Sequence, residues 1–106
     1  MNRTVRLAMI GCSHRHSSLA VRERLAFTPA QTLDALAAWR VTHPDSEAVL
    51  LSTCHRVELY AAAEDPAAPI DASTLAAHLA EFHNVPIEEV RDQLVSREGD
   101  ATPHRC

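Results

Sequence analysis

The chain contains no lysine: all ten of its basic residues are arginine, and fourteen acidic residues leave a formal net charge of −4. That balance excludes a basic slab built for duplex nucleic acid. It leaves an RNA partner only through a local arginine patch or another domain. Long apolar runs are missing as well. After Met1-Asn2-Arg3-Thr4-Val5-Arg6 the apolar run extends only from Leu7 to Ile10, too short for the core of a secretory signal. No stretch approaches the roughly 18 to 20 apolar residues that a membrane span requires. A cytoplasmic protein with no membrane contact is expected.

Aromatic residues make up 4% of the chain, so Leu, Val, Ile and abundant Ala must fill the core of its 106 residues, enough for one domain. Alanine buries little area, which predicts a small core of modest stability. Glycine occurs twice, as Gly11 and Gly99, so no Gly-x-Gly-x-x-Gly turn exists to cradle a dinucleotide pyrophosphate. The three cysteines, Cys12, Cys54 and Cys106, are odd in number and far apart. They make a poor disulfide framework, fit a reducing compartment and leave a thiol free to react.

What is present has a legible order. Val5 to Ile10 reads as a strand ended by Gly11, and Leu19 to Phe27 as a short helix. Thr28-Pro29-Ala30-Gln31 is a strong helix start, with Thr at the N-cap, Pro in the first turn and Gln at the capping-box position. Leu33, Leu36, Ala37 and Arg40 recur at helical spacing and predict the packed face of a helix ending near His43-Pro44. Trp39 is expected to pack against the sheet. Ala48 to Leu51 is a continuous apolar run that predicts a buried central strand, and Val57 to Ala61 alternates as a half-buried strand does.

A loop over 63–69 leads to a helix capped by Asp71 or Ser73, in which Leu75, Leu79 and Phe82 share a face. His78 and His83 on that helix are expected to be solvated or half-buried. A short helix at 87–91 and a strand beginning at Leu94-Val95 complete the chain. Strand, helices, strand, strand, helix, strand is the α+β, ferredoxin-like split β-α-β pattern: an antiparallel sheet with helices on one face. It places Thr53 to Arg56 at the connection between the two middle strands, at the edge of the sheet, where chemistry is commonly mounted.

Ser52-Thr53-Cys54-His55-Arg56 is the densest polar stretch and follows the buried run directly. A thiol beside an imidazole and a guanidinium lies in a positive field, which favours the attacking thiolate. The planar fork of Arg56 suits a substrate carboxylate. Together they suggest acyl transfer from a carboxylate-bearing substrate; the plainer reading is a structural thiol among surface polar residues. Gly11-Cys12-Ser13-His14-Arg15-His16 forms a second cluster, either a solvated loop or a partner of the Cys54 segment at a neighbouring strand end. Cys12, His14, His16, Cys54 and His55 could instead ligate a metal, although their spacing is irregular and no Cys-x-x-Cys is present.

Two motifs resemble the glutamyl-tRNA reductases. That family opens with a strand, a Gly-x-Ser-His-Arg/Lys segment and a Val-Arg-Glu-x-Leu-Ala/Ser-Phe helix; here stand Gly11-Cys12-Ser13-His14-Arg15 and Val21-Arg22-Glu23-Arg24-Leu25-Ala26-Phe27. Its later Leu-Ser-Thr-Cys-Asn-Arg-x-Glu-x-Tyr segment is matched by Leu51-Ser52-Thr53-Cys54-His55-Arg56-Val57-Glu58-Leu59-Tyr60. The resemblance implies Cys54 as nucleophile and Thr53, Cys54, His55 and Arg56 as the glutamate-binding segment. It also carries His104 over as a second catalytic residue, in Gly99-Asp100-Ala101-Thr102-Pro103-His104. His55 replaces the family's Asn, and the Pro usual after the His-Arg pair is absent, with Ser17-Ser18 nearby.

The chemistry so implied is transfer of glutamate from glutamyl-tRNA to the thiol, then reduction of the thioester by NADPH to glutamate-1-semialdehyde for tetrapyrrole synthesis. The resemblance further implies that residues 1–106 are the N-terminal part of the catalytic domain, without the NADPH-binding domain and the domains through which the family dimerises. Two other functions remain open: a small ferredoxin-like metal- or ligand-binding module, and a non-catalytic remnant that binds tRNA or a protein partner.

Overall fold

The computed structural model describes residues 5–15, 17–65 and 67–101. In chain order it builds β1 (Val5–Ser13), α1 (Leu19–Leu25), α2 (Pro29–Thr42), β2 (Glu47–Ser52), β3 (Arg56–Ala63), α3 (Ala72–Phe82), α4 (Ile87–Val90), a 3-10 turn at Arg91–Gln93 and β4 (Val95–Ala101). The strands form one antiparallel sheet in the order β2-β3-β1-β4. The helices after β1 carry the chain past the place of β3 to β2, and those after β3 carry it past β1 to β4. This is the split β-α-β topology, and the expected α+β class stands.

Strand alternation decides which side is covered. In β3, Val57, Leu59, Ala61 and Ala63 are buried toward the helices, whereas Arg56 and Tyr60 are exposed on the opposite face and Glu58 is half-buried there. Against the buried face the helices set Leu25, Trp39, Leu75, Leu79 and Val90, each under 2% exposed. The indole of Trp39 keeps a partner in that apolar setting by donating from Nε1 to Ser46 Oγ at 2.9 Å. The other sheet face leaves Leu7, Val49, Leu51 and Tyr60 exposed.

Helix starts follow local chemistry. Thr28 caps α2 through a complete capping box: its Oγ1 accepts from Gln31 N at 3.1 Å, and Gln31 Oε1 accepts from Thr28 N at 2.9 Å. Asp71 caps α3 by accepting from Thr74 N at 2.8 Å, and Ser18 caps α1 by accepting from Val21 N at 3.2 Å.

Three expectations are corrected. β2 is an edge strand, with Val49 and Leu51 turned to the uncovered face, because its pairing stops at β3. The face α2 buries is Ala35 and Trp39, with Thr32 and Leu36 half-buried, while Leu33, Ala37 and Arg40 are exposed. β1 does not end at Gly11 but runs on to Ser13. Gly11 serves a close approach instead: a Cβ there would lie 2.5 Å from the Val57 carbonyl oxygen and 3.0 Å from Glu58 Cγ. β1 and β3 therefore stay paired up to Ser13 and Arg56, the ends that carry the two polar clusters.

Candidate active site

Between the paired residues Ser52 and Val57, the chain turns through Thr53, Cys54, His55 and Arg56. Asn84 is the only non-glycine with positive φ among the described residues, so this connection uses no left-handed residue, as turns of four residues allow. Thr53 closes it from within. Its N–H donates to the Arg56 carbonyl at 2.8 Å. Its Oγ1 accepts from the N–H groups of His55 and Arg56, both at 3.2 Å.

The tip is also held from outside. His14, in the turn after β1, donates its backbone N–H to the His55 carbonyl at 2.9 Å. The two imidazoles meet edge to face, with centroids 5.4 Å apart. From α1, Arg22 Nη1 donates to the Cys54 carbonyl at 3.1 Å. One residue before the turn, Ser52 Oγ accepts from Phe27 N at 2.9 Å and ties the end of β2 to the α1–α2 junction. Both carbonyls of the tip are thus bonded to donors outside the hairpin.

The sequence-predicted residues divide accordingly. Thr53, Cys54, His55 and Arg56 form the turn, Ser13 pairs with Arg56 across β1 and β3, and His14 joins them. Arg15 is an exposed turn residue, and His16, His104 and Cys106 lie outside the described residues. The Arg56 guanidinium lies 3.7 Å from Glu58, whose Oε1 also accepts from Tyr60 OH at 2.8 Å. Because Arg56 is more than half exposed, this ion pair is weak and easily exchanged for another carboxylate.

The two described thiols differ sharply. Cys54 is exposed at the tip. Cys12 is buried on the helix side of β1, and burial raises its thiol pKa; a hydrogen bond with Ser17, one with the Val57 backbone and the charge of Arg22 oppose that rise. Burial makes Cys12 a packing residue. Among the described residues no group of three or more His, Cys, Asp and Glu is disposed to hold a metal ion. A cavity of about 730 Å³ lies at the opposite end of the sheet, lined by Pro44, Ser46 and Ala63 among others. The candidate site residues sit on an exposed turn.

Arg22 is the site residue that sequence reasoning missed. It stood at a specified position of the Val-Arg-Glu-x-Leu motif, where the exposed Arg24 fills the unspecified one, yet nothing local tied it to the Cys54 turn.

A family model described as glutamyl-tRNAGlu reductase, N-terminal domain, matches residues 10–105. The chain is similar to a glutamyl-tRNA reductase of Marinobacter nauticus, 38% identical over 99 residues that cover 92% of this chain and 22% of that protein. One from Citrifermentans bemidjiense is 41% identical over 100 residues, again 92% of this chain and 22% of the relative. One from Pseudomonas syringae pv. tomato is 40% identical over 92 residues, 87% and 21% respectively. The chain spans about a fifth of the length of the curated relatives it matches.

Proposed function

The chain belongs to the glutamyl-tRNA reductase family, matching its N-terminal domain, and on that premise we propose that it accepts the glutamyl group of glutamyl-tRNA on Cys54. The thiolate attacks the ester carbonyl that joins glutamate to the terminal ribose. The carbon–oxygen bond breaks, the tRNA leaves with its hydroxyl protonated by water, and an enzyme thioester remains. An aminoacyl ester is already activated, so a positioned thiolate needs little general-acid help. The observation that carries this reading is the exposed Cys54 on a turn whose two tip carbonyls are both held from outside the hairpin.

Arg56 reads the side-chain carboxylate of the glutamate, exchanging its weak pairing with Glu58 for a bidentate one. Thr53 and His55 complete the binding segment: Thr53 Oγ1 shapes the turn as an acceptor and keeps its own proton to donate. The His55 ring is exposed beside the nucleophile. His104 belongs to the same proposal as a second catalytic residue.

Reduction of the thioester with NADPH to glutamate-1-semialdehyde, dimerisation of the whole enzyme through other domains and a cytoplasmic setting in tetrapyrrole synthesis extend the proposal. No described helix is long and apolar enough to cross a membrane. The residues present do not fit the dinucleotide. Both glycines lie inside antiparallel strands, Gly11 in β1 and Gly99 in β4, and neither stands at a strand-to-helix turn that could cradle a pyrophosphate. The half-reaction that these residues support is acyl acceptance.

The test is incubation with glutamyl-tRNA, acid quench and peptide mass analysis. A hydroxylamine-sensitive glutamyl adduct is expected on Cys54, absent from Cys54→Ser and retained in Cys12→Ser. Glutamate should be released slowly by water, and added NADPH should change neither product nor rate. Equal labelling of Cys12 and Cys54 would overturn the assignment.

A further inference from the structure

We propose that Arg22 is the positioning residue of the Cys54 turn, the group that fixes where the nucleophile stands. The inference rests on the acyl-transfer reading for its consequence, but on independent geometry for its substance.

The helix that carries Arg22 is anchored at both ends. At its start, Ser17 Oγ donates to the Gln93 carbonyl at 2.8 Å and Ser18 N donates to Gln93 Oε1 at 2.6 Å, which ties α1 to the segment ahead of β4. Just past its end, Phe27 N is bonded to Ser52 Oγ on β2. Between these anchors Val21 and Leu25 are buried in the core, so the backbone at residue 22 has a fixed place. From it the guanidinium reaches the Cys54 carbonyl through Nη1 at 3.1 Å.

An arginine on a short helix ordinarily lays its stem on the surface and keeps its head in water. Here Nε is buried and meets no acceptor among the described residues. A donor of a charged group withdrawn from water without a partner lowers stability. Nε has nevertheless been placed there, and the guanidinium charge acts to lower the pKa of the buried Cys12 thiol. What it gains at that place is the Cys54 carbonyl. The arrangement trades some stability for order at one peptide group.

That order matters because the turn is exposed and joined to the sheet only through the ends of β2 and β3. Thr53 holds the N–H groups of His55 and Arg56, and His14 holds the His55 carbonyl. Arg22 supplies the remaining restraint, on the carbonyl of the nucleophile itself. Attack on an ester requires the sulfur near contact distance and aligned, so a small displacement of that peptide costs rate while the ester can still bind.

The test compares Arg22→Gln, Arg22→Lys and, as a control on the same helix, Arg24→Gln, which loses only an exposed pair with Glu89. Amide hydrogen exchange at His55 and Arg56 is read first, because it needs no tRNA. In Arg22→Gln these amides should exchange about tenfold faster, with those of β1 unchanged, and the maximal rate of glutamyl transfer should fall about tenfold or more with KM little altered. Alkylation of Cys54 by iodoacetamide should hold within about twofold, since a small reagent needs no orientation. Arg22→Lys keeps the charge and one donor and should recover part of both losses; if Arg22→Gln does not fold, the Lys variant carries the same readings. Arg24→Gln should change nothing.

Unaltered exchange at residues 55–56 in the Arg22 variants would overturn the proposal. So would a loss of transfer that merely follows the folded fraction in thermal unfolding. Failure of the parent chain to take up glutamate would instead count against Cys54 as acyl acceptor, and the exchange measurement would still decide the role of Arg22.

Discussion

The carbonyl of His55 accepts the backbone N–H of His14 at 2.9 Å, joining the ends of two neighbouring strands whose residues lie about forty positions apart in the chain. Through that bond the Gly11–His14 segment supports the Cys54 turn. The tie is main chain to main chain, so side-chain changes at position 55 should leave it intact. His55→Asn is expected to lose the edge-to-face contact with His14 and shift the thermal midpoint little, with a cost under about 1 kcal/mol in urea unfolding. A cost several times larger would mean that the imidazole itself holds the turn.

Gly11 and Gly99 should respond oppositely to alanine. A Cβ at Gly11 meets the Val57 carbonyl oxygen at 2.5 Å, and backbone cannot swing aside as a side chain can, whereas a Cβ at Gly99 meets nothing within 4 Å. Gly11→Ala should cost about 1 to 3 kcal/mol by overpacking, while Gly99→Ala should stay within about 0.5 kcal/mol. Urea unfolding of both variants decides it, and equal costs would contradict the close approach of β1 and β3.

Removing the partner of the buried indole is a further test. Trp39 is fully buried and its Nε1 depends on Ser46 Oγ. Ser46→Ala should cost about 1 to 3 kcal/mol, because the indole N–H is left without an acceptor. The Trp39 fluorescence midpoint in urea reports it directly. No loss would mean that another acceptor moves in.

Arg56→Ala tests the reading of the glutamate carboxylate. Losing one partner of a charged pair should weaken glutamyl-tRNA by about 2 to 5 kcal/mol and abolish preference over glutaminyl-tRNA. Glu58→Gln frees Arg56 from its pair at 3.7 Å, and its effect on stability should be under about 1 kcal/mol. Competition between the two aminoacyl-tRNAs measures the first effect, and retained discrimination in Arg56→Ala would remove the role.

Stability should fall on mild acidification. Burial lowers the pKa of His83 below its ordinary 6.5, opposed by a hydrogen bond to the Leu25 backbone. Burial, and then the charge of His78, lowers that of His43. Between each lowered value and 6.5 the unfolded chain binds a proton that the folded chain does not, so folding weakens as pH drops through that window. Above about pH 6.5 neither state is protonated at these sites and the contribution is complete. The thermal midpoint should therefore be lower at pH 5.5 than at pH 7.5, and His83→Leu should reduce the difference. An unchanged difference in that variant would assign the acid sensitivity elsewhere.

The sequence by itself determined whatever is settled by neighbours along the chain. The capping box of Thr28 and Gln31, the cap at Asp71, the Leu75–Leu79 face and the alternation of Val57 to Ala61 depend on residues at most four apart. Their hydrogen bonds and periodicity are therefore written locally. The α+β order of elements follows from them, and the Ser52–Tyr60 motif marked the candidate site residues as a contiguous run.

Tertiary structure decided which surfaces face which. Leu33 and Ala35 are equally compatible with a packed helix face, and only the position of the sheet against α2 buries Ala35 and leaves Leu33 69% exposed. An apolar run such as Ala48 to Leu51 reads as central, but its place at the edge depends on pairings with distant strands. Gly11 looked like a strand end because the backbone it must let pass belongs to Val57. Arg22 and Arg24 stand two positions apart on one short helix: one grips the Cys54 carbonyl and the other an exposed glutamate, because α1 is anchored with only the first turned toward the turn. Contacts between residues far apart in the chain are set by packing of whole elements, and no short stretch of sequence contains both partners.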